Sequence, residues 1–173
     1  SPIFLIVSIL IKTTMPGPVF FIQERVGKDK EVFKIIKFRT MKVDNEAEKN
    51  FDFSKDKERL TRTGKFLRRY KIDEIPQLIN VLKGDISLVG PRPTIKRQVD
   101  KYGDYELQRL KMKPGMTGLA QVSGGTKLSW QERIKIDIYY INNFSILLDV
   151  KILIKTIGVV LFGESISNKK IYK

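Results

Sequence analysis

The run Pro2-Ile3-Phe4-Leu5-Ile6-Val7-Ser8-Ile9-Leu10-Ile11 constrains this chain most, because it is too apolar to lie in water and too short to cross a bilayer. As a helix continued through Lys12 it reaches about 18 Å, against a hydrocarbon core of about 30 Å. Leaving its large side chains in water would cost roughly 1.5–3 kcal/mol each. The run must therefore pack into a core or dip into a membrane without spanning it. It has no basic leader and no small-residue cleavage site, so it does not read as a signal peptide. The Ser1-Pro2 pair stands where a longer helix would bend, since proline lacks the N–H and crowds the preceding turn. Further apolar sequence is expected ahead of residue 1. A second apolar stretch, 144–162, is long enough to span but is interrupted by Asp149, Lys151 and Lys155. Each costs about 2.5–3.5 kcal/mol near the bilayer centre. Lys151 and Lys155 share one helix face and can snorkel, which favours an interfacial or core-packed amphipathic helix.

The chain between these stretches is basic. Its 173 residues, a single domain's worth, carry 33 Lys+Arg against 19 Asp+Glu, a net charge of +14. Such a balance calls for an anionic partner: nucleic acid, an anionic membrane surface or a phosphorylated substrate. The densest run is Lys55, Lys57, Arg59, Arg62, Lys65, Arg68, Arg69 and Lys71, for which a solvated helix face is a sufficient account on its own. Cys and His are both absent. That removes disulfide scaffolds, zinc fingers, Cys nucleophiles, Ser-His-Asp triads and His general bases. Any metal must be a hard ion on oxygen ligands, such as Mg²⁺.

Along the chain, Pro16-Gly17-Pro18 marks a turn, and 19–26 and 31–40 read as β-rich runs joined by a hairpin loop at 27–30. Residues 42–58 are polar and are expected to form a mobile loop. A helix begins near Thr63. A second is expected from Asp73 to the Lys83-Gly84 stop. Val89-Gly90-Pro91-Arg92-Pro93 reads as a stiff loop, 94–112 as one or two polar helices broken near Gly103, and 113–118 as a turn cluster. Trp130 to Asn142 has helical spacing of Trp130, Ile134, Ile138 and Ile141.

The sharpest chemical feature is Arg68-Arg69-Tyr70-Lys71-Ile72-Asp73-Glu74-Ile75-Pro76, two adjacent carboxylates between a basic helix and a second helix. Asp73 suits the N-cap of that helix, with Pro76 in its first turn. A helix N-terminus also keeps a carboxylate ionised and attracts phosphate. The chemistry suggested is carboxylate attack on phosphorus, with Mg²⁺ and Arg or Lys neutralising the oxygens. In Gly90-Pro91-Arg92-Pro93 the prolines limit backbone freedom around Arg92, which suits a phosphate grip and equally an ordinary rigid turn. In Lys37-Phe38-Arg39-Thr40, strand alternation would put Lys37 and Arg39 on one face, which a guarded sheet edge also explains.

Arg59-Leu60-Thr61-Arg62-Thr63-Gly64-Lys65-Phe66-Leu67-Arg68, Asp73-Glu74-Ile75-Pro76-Gln77, Asn80-Val81-Leu82-Lys83-Gly84-Asp85-Ile86-Ser87 and Val89-Gly90-Pro91-Arg92-Pro93 together resemble the bacterial sugar transferases, the monotopic polyprenyl-phosphate phosphoglycosyl transferases. So do Pro18-Val19-Phe20-Phe21-Ile22-Gln23-Glu24-Arg25-Val26-Gly27, Lys37-Phe38-Arg39-Thr40-Met41, Lys113-Pro114-Gly115-Met116-Thr117-Gly118, Ala120-Gln121-Val122, and Asp137 with Tyr140. The resemblance covers nearly the whole chain, in the family's motif order. It implies a ping-pong reaction in which Asp73 attacks the β-phosphate of a UDP-sugar and releases UMP. The sugar-1-phosphate then passes to polyprenyl (undecaprenyl) phosphate to initiate a surface polysaccharide or glycoconjugate. It implies Asp73 as nucleophile and Glu74 as ligand of the Mg²⁺ cofactor. Lys37, Arg68 and Arg92 would hold phosphate or carboxylate groups.

The same resemblance implies an α+β fold: a small β-hairpin with surrounding helices, a re-entrant membrane helix at the N-terminus and amphipathic interfacial helices. Residues 1–15 would be the second half of the re-entrant helix, starting at its Ser-Pro bend. Residues 16–173 would be the cytoplasmic catalytic domain, on the cytoplasmic face of the bacterial inner membrane. Many relatives carry Gly-Arg-Asn where this chain has Gly124-Gly125-Thr126, so any contact made by that Arg is not carried over. The rival readings are a basic nucleic-acid-binding module and a non-catalytic membrane-associated scaffold. No RNP-type aromatic motif or helix-turn-helix is visible, and the apolar stretches favour an anionic membrane surface over nucleic acid as partner. The Asp73-Glu74 pair argues against a catalytically dead scaffold. Assembly as a homo-oligomer is left open, as is the identity of the sugar.

Overall fold

A computed structural model describes residues 2–44, 46, 48, 54 and 56–163. The apolar head forms helix α1 (Pro2–Thr14), followed by strands β1 (Phe20–Val26) and β2 (Val32–Phe38), which pair as a two-stranded sheet. A tight turn at Lys28–Lys30 joins them, with Asp29 and Lys30 at positive φ, as the expected hairpin loop requires. Of the loop expected at 42–58, residues 45, 47, 49–53 and 55 lie outside the described residues. Asp56–Arg59 close a short helix, α2, where loop was expected. Next come α3 (Arg62–Arg69), α4 (Gln77–Lys83), β3 (Ser87–Val89), α5 (Lys96–Val99) and α6 (Asp104–Leu107). The chain continues through β4 (Gly115–Thr117), α7 (Leu119–Ser123), α8 (Trp130–Asn142) and α9 (Ile146–Phe162). This is a mixed α+β fold. Strands β3 and β4 pair in parallel, Ser87 opposite Gly115 and Val89 opposite Thr117.

Contacts group the chain into two units, 1–22 with 36–76 and 23–35 with 77–173, so each hairpin strand runs from one unit into the other. In the first unit, Val7, Ile11, Met15, Phe38 and Leu67 form the core, with Phe4, Val19 and Ile72 packed against it. The Phe38 ring lies 5.3 Å from Phe4 and 5.5 Å from Phe20, centroid to centroid. Helix α3 is capped by Thr61, whose hydroxyl accepts from the Gly64 amide at 2.9 Å. It lies so close to the end of β2 that a Cβ on Gly64 would fall 1.8 Å from the Thr40 carbonyl oxygen, so only glycine fits there. Helix α1 buries Val7 and Ile11 and leaves Ile3, Leu5, Ile6 and Ile9 exposed.

In the second unit, Val89, Leu119, Ala120, Val122, Ile136, Tyr140 and Ile152 form one core, and Val26, Val99 and Leu110 a smaller one. Helix α8 has the residues expected of it. A capping box fixes its start: Ser129 Oγ accepts from the Glu132 amide, and Glu132 Oε2 accepts from the Ser129 amide at 2.7 Å. Helix α9 buries Ile152 and Val159 and exposes Ile146, Leu147, Ile154, Ile157, Leu161 and Phe162. Among the described residues, no helix is long and apolar enough to cross a membrane.

Candidate active site

The Asp73-Glu74 pair lies in a separate tight turn and not at the head of a helix. Helix α3 ends at Arg69, Lys71 takes a left-handed φ of 56°, and Ile72–Glu74 make one turn of 3₁₀ helix before α4 begins at Gln77. Pro76 explains the break. It has no N–H to give to the Ile72 carbonyl, so the α-helical ladder cannot run through it. The Ile75 amide takes that carbonyl instead, at 3.1 Å, and the Glu74 amide takes Lys71 O at 3.2 Å. The expected N-cap role of Asp73 is therefore corrected. A non-glycine residue in the left-handed region costs of order 1–3 kcal/mol and persists only where its surroundings fix it. Here Leu67 and Ile72, set in the first unit's core, anchor the chain on either side of Lys71.

Both carboxylates are buried, Asp73 at 7% and Glu74 at 9% exposure. Lys37, on β2, donates to Glu74 Oε1 at 2.8 Å. Arg68, in the last turn of α3, donates from Nε to the Thr40 hydroxyl at 2.9 Å. Asp73 Oδ1 is buried with no hydrogen-bond partner among the described residues. Burial pushes the Asp73 carboxyl above the ordinary range and the Glu74 charge adds to this, while Lys37, Arg68 and Lys71 pull it back. The site therefore holds a desolvated carboxylate with an unused lone pair inside a cationic surround, a disposition suited to attack on phosphorus.

Four of the five sequence-derived site residues, Lys37, Arg68, Asp73 and Glu74, are thus assembled in one unit. Arg39 is not among them. It is 3% exposed, and its Nη2 donates to the Met15 carbonyl at 2.8 Å just beyond the C-terminus of α1. The reading of Lys37 and Arg39 as a solvated, guarded sheet edge is corrected: Lys37 reaches a carboxylate, and Arg39 is buried and bonded to the end of the apolar helix.

The donor set fits Mg²⁺. Among the described residues no three carboxylates gather, and Mg²⁺ typically takes one or two carboxylates plus substrate phosphates. Glu74 is the carboxylate that would supply such a ligand, which leaves Asp73 Oδ1 unused.

Arg92 belongs to the second unit. Its side chain is exposed while Pro91 and Pro93 on either side are buried. A cleft is lined by Gly27, Pro91, Arg92, Pro93, Thr94 and Arg109, among others. Burial, with the Arg92 charge, pulls the Arg25 guanidinium down to about 10. Reading the sequence gave no role to Arg25, Arg109, Asp137 or Gln77. Yet Arg109 and Asp137 form an ion pair at 2.6 Å with both side chains almost wholly buried. Gln77 is buried with its Nε2 unpartnered. A signal existed for Asp137, a charge set among Ile134, Ile136 and Ile138 of an otherwise apolar face; none existed for Arg109. Gly125 takes φ +55°, a left-handed value that suits glycine.

The family model for bacterial sugar transferases matches residues 1–163. An uncharacterized sugar transferase EpsL of Bacillus subtilis is 42% identical over 166 residues, covering 96% of this chain and 81% of that protein. A UDP-N-acetylgalactosamine-undecaprenyl-phosphate N-acetylgalactosaminephosphotransferase of Aeromonas hydrophila is 46% identical, over 94% of this chain and 40% of its own length. A UDP-glucose:undecaprenyl-phosphate glucose-1-phosphate transferase of Klebsiella pneumoniae is 42% identical, over 91% of this chain and 36% of its own. The chain thus spans most of EpsL and well under half of the two larger relatives.

Proposed function

This chain belongs to the bacterial sugar transferase family, and on that footing we propose that it transfers a sugar-1-phosphate from a UDP-sugar to polyprenyl phosphate through a covalent intermediate on Asp73. The observation that carries this reading is the buried Asp73 Oδ1, without a partner and beside the Lys37, Arg68 and Lys71 charges. In the first step an Asp73 oxygen bonds to the β-phosphorus. The bond from that phosphorus to the bridging oxygen breaks, and UMP leaves with the oxygen and its electron pair. In the second, an oxygen of polyprenyl phosphate attacks the same phosphorus and frees Asp73, giving a polyprenyl-diphosphate sugar.

Charge develops on phosphate oxygens throughout, which Lys37 and Arg68 would stabilise; Arg92, in the second unit, is read as a further phosphate ligand. Glu74, oriented by Lys37, would hold Mg²⁺, which when bound supplies charge neutralisation on the diphosphate. The apolar residues left open on α1 and on α9 support residence at a lipid surface, where the acceptor lies, and the charge of +14 supports an anionic one. The cytoplasmic face, where UDP-sugars are made, is the side this reading requires.

The test is UMP release from a panel of UDP-sugars with Mg²⁺, in detergent, with and without undecaprenyl phosphate. Turnover that needs the lipid phosphate, or a stoichiometric burst without it, supports the reading. Absence of UMP with every donor overturns it.

A further inference from the structure

We propose that Arg109 is a positioning residue for the Pro91-Arg92-Pro93 loop, its guanidinium tying the Arg92 carbonyl to the buried Asp137 carboxylate so that the Arg92 side chain meets a substrate phosphate at a fixed place. The inference rests on the reading of Arg92 as a phosphate ligand. The two prolines set φ on either side of Arg92, but φ alone does not anchor a loop to the body of its unit. Arg109 does so. Its Nε and Nη2 donate to Asp137 Oδ2 at 2.9 and 2.6 Å, its Nη1 to the Tyr102 hydroxyl at 2.7 Å, and Nη2 also to the Arg92 carbonyl at 3.2 Å.

The hold extends to the far side of Pro93. Tyr102 donates to the Thr94 hydroxyl at 3.3 Å, and the Thr94 carbonyl accepts from the Val26 amide at 2.8 Å. The loop is thus pinned at Arg92 and again at Thr94, from helix α8, from the α6 region and from β1. The Trp130 ring lies 5.2 Å from the Arg109 guanidinium carbon and completes its surround. Arg109 is 4% exposed, so it works through Arg92 and not by touching substrate. A pair that served packing alone could be replaced by apolar side chains at little loss. This one commits a donor to the carbonyl of the residue whose side chain is to grip phosphate.

The experiment compares wild type, Arg109→Lys, Tyr102→Phe, Arg92→Ala and the double variant Arg92→Ala with Arg109→Lys. All are full-chain proteins in detergent, assayed with the UDP-sugar that wild type accepts. Lys keeps a charge for Asp137 but cannot reach Tyr102, Asp137 and the Arg92 carbonyl together. Arg109→Lys is expected to raise KM for the UDP-sugar about tenfold with kcat changed less than about threefold, and to add less than about twofold in the Arg92→Ala background. Tyr102→Phe, which removes one hydroxyl and leaves the ion pair, is expected to raise KM about twofold to threefold. Hydrogen exchange at the Val26 amide, which donates to the Thr94 carbonyl, should quicken in Arg109→Lys while that of α8 stays unchanged.

An unchanged KM, an effect that multiplies with that of Arg92→Ala, or unaltered exchange at the Val26 amide overturns the proposal. If wild type releases no UMP from any donor, it is the functional reading that fails, and the Val26 exchange alone then decides the positioning role.

Discussion

Asp73 and Asp137 are buried to similar degrees, 7% and 3% exposed, and burial pushes both carboxyls up, Asp137 to about 6. What surrounds them differs. Asp137 receives two donors from the Arg109 fork, which is itself held by Tyr102, and the whole arrangement closes on protein groups. Asp73 has cations nearby, but Lys37 is committed to Glu74 and Arg68 donates to Thr40, and Asp73 Oδ1 is left without a donor. A buried carboxylate gripped by a guanidinium fork serves architecture; one with an oxygen buried and left without any donor holds a lone pair for something else. The difference sets the acid held by an ion pair apart from the one proposed to react, without reference to any relative.

The largest expected effect is on turnover at Asp73. Asp73→Asn should lower UMP release at least about 10³-fold, or about 4 kcal/mol in the barrier, without lowering the melting temperature. Activity within tenfold of wild type would break the assignment. Next is the stability of the paired acid. Arg109→Met strands Asp137 and should cost about 3–5 kcal/mol in urea unfolding, while Arg109→Met with Asp137→Leu recovers most of the loss. A single-variant cost below about 1 kcal/mol would mean that the pair is not holding this unit together.

How far the sequence foretold this contrast depends on the range of each signal. Helix α8 was legible to the residue because its capping box and its apolar spacing are local. The Asp73-Glu74 step stands out in the sequence, but its backbone does not: Asp73 suits an N-cap, whereas Ile72–Glu74 close a 3₁₀ turn of their own and the α-helix starts only at Gln77. Strands β3 and β4 are three residues each, too short to show alternation, and their pairing joins segments 28 positions apart in sequence. The Arg109–Asp137 bond spans the same separation, with |i−j| of 28, which no local pattern reports. Lys37 and Glu74 were each named from local motifs, yet the 2.8 Å bond between them becomes visible only when β2 and the 72–74 turn are brought together.

Acidification tests the same contrast most gently, because each variant's stability gap should narrow for a different reason. The folded Asp73 carboxyl sits above its unfolded value, so the native state binds that proton more tightly than the unfolded chain does. This group therefore adds stability to wild type as pH falls through the folded value toward the unfolded one, about 3.9. Asp73→Asn has no such proton to gain. In the presence of a chelator, it should melt above wild type at pH 8 and lose that advantage as pH drops toward 4. For Asp137 both proteins gain, and the variant gains more. Arg109, and more weakly Arg133, hold this carboxyl down against burial. Once Arg109 is replaced by Met, the carboxyl rises further and takes up its proton nearer neutrality. The stability deficit of Arg109→Met should therefore shrink between pH 8 and pH 5, because protonation removes the stranded charge. If the Asp73→Asn gap were flat with pH, burial would not be holding the Asp73 carboxyl up, and the reading of its unpartnered oxygen as a desolvated one would fail at its source.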